Sequence, residues 1–251
     1  MKKKVCSFML LIILMMPLPI YARAGGGSSG GSGGGGGSSS SSSHHHYNGN
    51  RNSSPIGSIL SIIGVFGVIV FIPSIPMIVY RNRVRKKSKQ TKEILEIIQS
   101  GDSIWKEEDI LKRTEDIYYH VQNAWTNKDI EALKPYLTPH LYEQWKMKLT
   151  WQEMRKERNV LENIKLLKKT IVNVKDYQDN SQDCCWLYIE GSMKDYTVNM
   201  ETQEVIEGIK KQTSFVEYWK LLRIKDEFYL DEILQKEDIN PENFIDRKEE
   251  S

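Results

Sequence analysis

Residues 107–127 read EEDILKRTEDIYYHVQNAWTN, and their spacing decides the first half of the fold. Ile110, Leu111, Thr114, Ile117, Tyr118, Val121 and Trp125 recur at three- and four-residue intervals, which places them on one stripe of a helix. Glu107, Glu108 and Asp109 open it with negative charge, where the helix dipole is positive. Beyond it, Asp129 is placed to cap a short turn reaching Leu133. Pro135 interrupts, and Thr138-Pro139 starts another helix with proline at its first position. That helix carries Leu141, Trp145, Leu149 and Met154 inward and ends in Arg155-Lys156-Glu157-Arg158.

After Asn159 the period changes from helical to alternating. Ile164, Leu166, Ile171, Val172 and Val174 predict one strand. Cys184 to Met193 predicts a second, bending at Gly191 and continuing to Met200. Thr202 to Gly208 reads as a turn, Gln212 to Ile224 as a third strand, and Phe228 to Leu234 as a fourth after an Asp226-Glu227 turn. Helices followed by strands imply an α+β domain over 101–236, with N-terminal helices packed on a curved antiparallel sheet. Residues 237–251 read as an acidic, mobile tail.

The upstream half is different in kind. Residues 1–24 have the form of a signal peptide: Lys2, Lys3 and Lys4, an apolar run, then Ala22-Arg23-Ala24 at a cleavage position. Residues 25–55 form a Gly/Ser-rich segment with nothing to bury, so disorder is expected. Its His44-His45-His46 run prearranges no metal site. Residues 56–80 carry no charge; as helix they span about 37 Å, against a hydrocarbon core of about 30 Å, and predict one transmembrane helix. Residues 81–100 form a basic juxtamembrane linker or helix. Its Arg81, Arg83, Arg85, Lys86 and Lys87 are placed for anionic lipid. Basic flanks face the cytoplasm, so the expected topology is single-pass in the cell membrane, with the N-terminal segment outside and the C-terminal domain cytoplasmic.

Charge follows the same division. Residues 1–100 hold 12 Lys/Arg and two acids, Glu93 and Glu96, whereas the remainder holds 23 basic and 31 acidic residues. The acidic half argues against generic nucleic-acid binding. Adjacent Cys184 and Cys185 point to opposite faces of a strand and make no disulfide framework, which fits a reducing compartment.

The residues Ala124-Trp125-Thr126-Asn127-Lys128-Asp129-Ile130 and Leu133-Lys134-Pro135-Tyr136-Leu137-Thr138-Pro139 resemble the bacterial Tim44-like domain family. So do Phe215-Val216-Glu217-Tyr218-Trp219 with Arg223, and the closing Tyr229-Leu230 and Ile233. The resemblance covers roughly residues 100–236. It implies the cone-shaped fold of the nuclear-transport-factor-2 type, with helices closing a curved sheet over a pocket. Mitochondrial members of the family tether an import motor at a membrane, and a related group anchors ribosomes. The resemblance therefore implies a membrane-anchored tethering or protein-binding module and assigns no catalytic residue. This chain departs from those members in its span and signal, and in Phe228-Tyr229-Leu230 where a Trp-x-Leu is typical.

No residues assemble in the sequence as a catalytic centre, a metal site or a cofactor site. Three groups are candidates for binding. Alternation puts Phe215, Glu217 and Trp219 on one side of a strand with Arg223 at a candidate pocket, so Glu217 is expected to be buried and paired, either with Arg223 or with a basic residue from a helix. Trp151 falls off the face of Trp145, and with Arg155 and Arg158 makes a candidate partner surface. The basic flank is the third. Two alternatives run beside the tether. One is a small-molecule or enzymatic pocket using His120 or His140 beside Glu217. The other is a ribosome or RNA tether using Lys146, Lys148, Arg155, Lys156, Arg158, Lys165, Lys168 and Lys169.

Overall fold

The computed structural model describes residues 75–248. The signal (1–24), the Gly/Ser segment (25–55) and the apolar run (56–80), apart from its last six residues, lie outside them. Among the described residues no helix is long and apolar enough to cross a membrane.

Helix α1 spans Ile75–Gly101, with Pro76 in its first turn, where a missing N–H leaves no bond unmade. The stretch 81–100, expected as linker or helix, is therefore continuous helix. Its residues up to Lys86 belong to a separate compact unit, and the domain takes in Lys87 onward. A 3-10 turn, Ser103–Trp105, follows, capped by the Asp102 carboxylate accepting from Ile104 N. Helix α2 is Glu107–Asn127, closed by Lys128 in the left-handed conformation (φ 55°), whose N–H reaches the Ala124 and Trp125 carbonyls. Helix α3 (Ile130–Leu133) has Asp129 as its cap, and α4 (Pro139–Met154) has Thr138.

Four strands form one antiparallel sheet in the order β1-β2-β3-β4. They are β1 Glu157–Lys175, β2 Cys184–Asn199, β3 Val205–Ile224 and β4 Glu227–Gln235. Three boundaries differ from expectation. Glu157 and Arg158 begin β1 instead of ending a helix, because they pair with Asn199 and Val198. Val205–Gly208, expected as turn, pair with β2 instead. The β3–β4 turn is Lys225-Asp226, with Glu227 already paired to Ile224.

The inner face of the sheet is filled. Ile110, Ile117, Tyr118, Val121 and Trp125 of α2 join Leu187, Ile189, Trp219, Leu221 and Leu230 in one core. Each such aliphatic side chain contributes about 1.5–3 kcal/mol when fully buried. Gly191 lets the sheet and α2 meet closely: a Cβ there would lie 2.5 Å from both Phe215 Cζ and the Tyr118 hydroxyl. The edges are partly covered. Tyr136 and Thr138 bond the Leu230 backbone at 2.9 Å each, sheltering β4. The tail expected to be mobile returns to the sheet, with Lys175 bridged in parallel to Arg247 beside β1.

Candidate functional site

The expected pocket divides into two places. Phe215, Glu217 and Trp219 do share the inner face, and Tyr118 lies with its ring 5.5 Å from that of Trp219. The Glu217 carboxylate is buried and accepts from Trp219 Nε1 at 3.0 Å and Gln235 Nε2 at 3.1 Å. Aromatic side chains thus pack the space where the cone would open around these residues.

Arg223 is not Glu217's partner. Six residues along a strand cover about 20 Å, beyond what two side chains on one face span. The Arg223 guanidinium instead donates to Asp102 (2.5 Å), Asp183 (3.0 Å) and the Lys225 carbonyl (2.9 Å). Burial lifts the Asp183 carboxyl above its ordinary range, against the Tyr177 N–H and Arg223, which favour the ionised form. This triad ties the turn before α2 to the strand ends, a structural office. Strand phase marks Arg223 in the sequence but neither of its acids, which lie 121 and 40 residues away.

The histidines do not approach Glu217 through a shared site. His120 stacks on Tyr136 with ring centroids 4.6 Å apart, and its Nδ1 lies 3.0 Å from an Asp116 carboxylate oxygen. His140 contacts Gln144 at 2.9 Å and lines a cleft of about 380 Å³ with Leu141, Trp145, Lys148, Asp231 and Ile233. Glu217 is not among the residues lining it. Among the described residues, no three His, Cys, Asp or Glu side chains gather as metal ligands. Cys184 and Cys185 are free and buried, and desolvation pushes both thiols up.

The basic residues offered for RNA lie on different surfaces. Lys169 is engaged by Glu115, Arg155 by Glu157 at 2.5 Å, and Lys168 sits over the Tyr188 ring on the other side of the sheet. Within the membrane-proximal set, Arg81, Arg83, Arg85 and Lys86 are exposed, whereas Lys87 is buried and bonded to Asp246. Lys87 therefore faces the fold and not a lipid headgroup.

The third candidate gains residues. Trp151 is 62% exposed, and Met147 and Met154, at 58% and 69%, stand four before and three after it on α4. These intervals align the three on one outward stripe. Met154, expected to point inward, belongs to it. Arg155 and Arg158 lie exposed just beyond. The opposite face, with Leu141, Trp145 and Leu149, is in the core. Two hydrophobic stripes on one helix blur its amphipathic pattern, which is why the periodicity disclosed only the inner one.

The Tim44-like domain family matches residues 91–233, more than half of the chain, and the chain belongs to that family. Among solved structures, the intermembrane-space region of the chloroplast protein ARC6 is similar over 55% of this chain and 95% of that one, at 13% identity and a TM-score of 0.35. Comparison with curated proteins finds no match.

Proposed function

We propose that the chain is a membrane-anchored tethering module whose Tim44-like domain recruits a protein partner through the outward stripe of α4. The observation that carries this reading is the alignment of Met147, Trp151 and Met154, three large apolar side chains left more than half exposed beside a filled core. Tryptophan is enriched at the energetic centres of protein interfaces, and methionine adapts its shape to a partner. The charges of α4 balance, Glu143 and Glu153 against Lys146 and Lys148, which suits a protein surface better than an anionic bilayer.

Anchoring rests on the sequence. The uncharged run 56–80 is long enough to span, and the export-type start and the basic Arg81–Lys86 flank orient it with the domain in the cytoplasm. Protease applied to wall-stripped intact cells is expected to spare the domain, and its digestion would contradict that orientation. Affinity isolation from native membranes is expected to recover a protein with the wild-type chain and to lose it with Trp151→Asp. Equal recovery with both would remove α4 as the tethering surface.

A further inference from the structure

The residues after β4 rejoin the domain as a short extended peptide. A 3-10 turn at Pro241–Asn243, capped by Asn240 accepting from Glu242 N at 3.1 Å, redirects the chain. From there alternate side chains face the domain. Phe244 packs between Trp186 (5.4 Å) and Tyr218 (5.7 Å) on the outer face of the sheet. Ile245 is 78% exposed. The Asp246 side chain is buried, and the Arg247 guanidinium lies 4.4 Å over the Tyr177 ring. The backbone pairs with the end of β1: Arg247 N donates to Val174 O at 2.9 Å, and Asp176 N donates to Arg247 O at 3.0 Å.

Four donors converge on the Asp246 carboxylate. They are Lys87 Nζ, Thr91 Oγ1 (3.1 Å), Asn173 Nδ2 (2.9 Å) and the Val174 N–H (3.0 Å). Strand addition, an aromatic seat and a carboxylate cage are the parts from which a peptide-recognition groove is made. The cage is built without reference to the tail's local sequence: Thr91 and Asn173 are fully buried and come from separate elements. With the Lys87 ammonium, these donors all converge on one carboxylate, so the groove selects an acid.

The tail is an imperfect occupant. Asn173 Oδ1 is buried and has no hydrogen-bond partner, so the cage holds an acceptor that Asp246 cannot use. Of residues 240–247, only Pro241 is buried as a whole residue, and the grip depends on the Phe244 and Asp246 side chains. We propose that this groove binds an extended peptide of a protein partner, carrying an aromatic residue two positions before an acid and a hydrogen-bond donor near that acid. The chain's own Phe244-Ile245-Asp246-Arg247 is the cis occupant that the partner displaces. A tethered occupant acts at millimolar effective concentration, so a partner must bind well to compete. The groove lies apart from the α4 stripe and does not depend on its role.

The test uses the full chain in detergent or nanodiscs and a labelled peptide of residues 240–248, NPENFIDRK. Three proteins are compared: wild type, a chain ending at Lys236, and Phe244→Ala/Asp246→Ala with the tail still attached. Both altered chains are expected to bind the peptide at least tenfold more tightly than wild type. The peptide carrying Asp246→Ala is expected to bind them at least tenfold more weakly. Equal binding by all three proteins, or no saturable binding by an altered chain that keeps a cooperative melt, overturns the proposal. Loss of the cooperative melt in both altered chains also overturns it, because the tail would then be a permanent part of the fold.

Discussion

Among the described residues, two apolar surfaces outside the core are treated differently. The α4 stripe of Met147, Trp151 and Met154 is left open. The outer-face aromatics Trp186 and Tyr218 are covered by Phe244, with Asp246 holding the tail in place. An open surface is available to a partner at all times. A covered one answers only to a partner that outcompetes its cover. The difference also separates two kinds of stability: α4 can change its outer stripe at little cost, whereas the tail's anchor is the shared partner of Lys87, Thr91, Asn173 and the Val174 N–H.

The inner face sets the scale for that comparison. Trp219→Ala removes a fully buried ring and the N–H that Glu217 accepts. It is expected to cost about 3–5 kcal/mol, read as a large fall in the thermal or denaturant midpoint. Asp246→Ala comes next. Breaking a buried pair by deleting one partner leaves the Lys87 ammonium uncompensated, and about 3 kcal/mol is expected in the same melt. A loss as small as that of a surface substitution would show that the cover contributes little.

On the open surface, Met147→Ala and Trp151→Ala are each expected to change stability by less than about 0.5 kcal/mol while abolishing partner recovery. A large destabilisation would place the stripe in the fold and not at an interface. The smallest effect is chemical. In a Cys6→Ser background, burial keeps the Cys185 thiol protonated and enclosed, so its alkylation is expected to proceed only at the rate of unfolding. Rapid labelling in the native state would mean that the inner face opens without global unfolding.

What the sequence discloses follows from how local each feature is. The limits of α2, the Asp129 cap and the Thr138-Pro139 start of α4 are carried by neighbouring residues, and the structure has them where the sequence puts them. The start of β1 was hidden because its inward residue Asn159 is polar and is satisfied by Trp125 and Asp195, and farther along three register shifts, between Glu162/Lys165, Leu166/Lys168 and Ile171/Asn173, break the alternation. The partners of Arg223 and the return of the tail were hidden for another reason. Asp246 meets Lys87 across 159 residues and Asn173 across 73, and no periodicity marks contacts of that range. Of the candidate sites, the buried side of Glu217 and the exposure of Trp151 were legible from strand and helix phase. The Met147 and Met154 flanks were not, since an apolar residue on a helix reads first as core.

Site-specific photo-crosslinking in native membranes tests the tethering surface most directly. A photoreactive residue is placed in turn at Met147, Trp151 and Met154, with exposed Glu201 on the β2–β3 turn as the reference position. The predicted result is one and the same protein adduct from the three α4 positions and none from Glu201. No adduct from α4, or the same adducts from Glu201, would contradict the account.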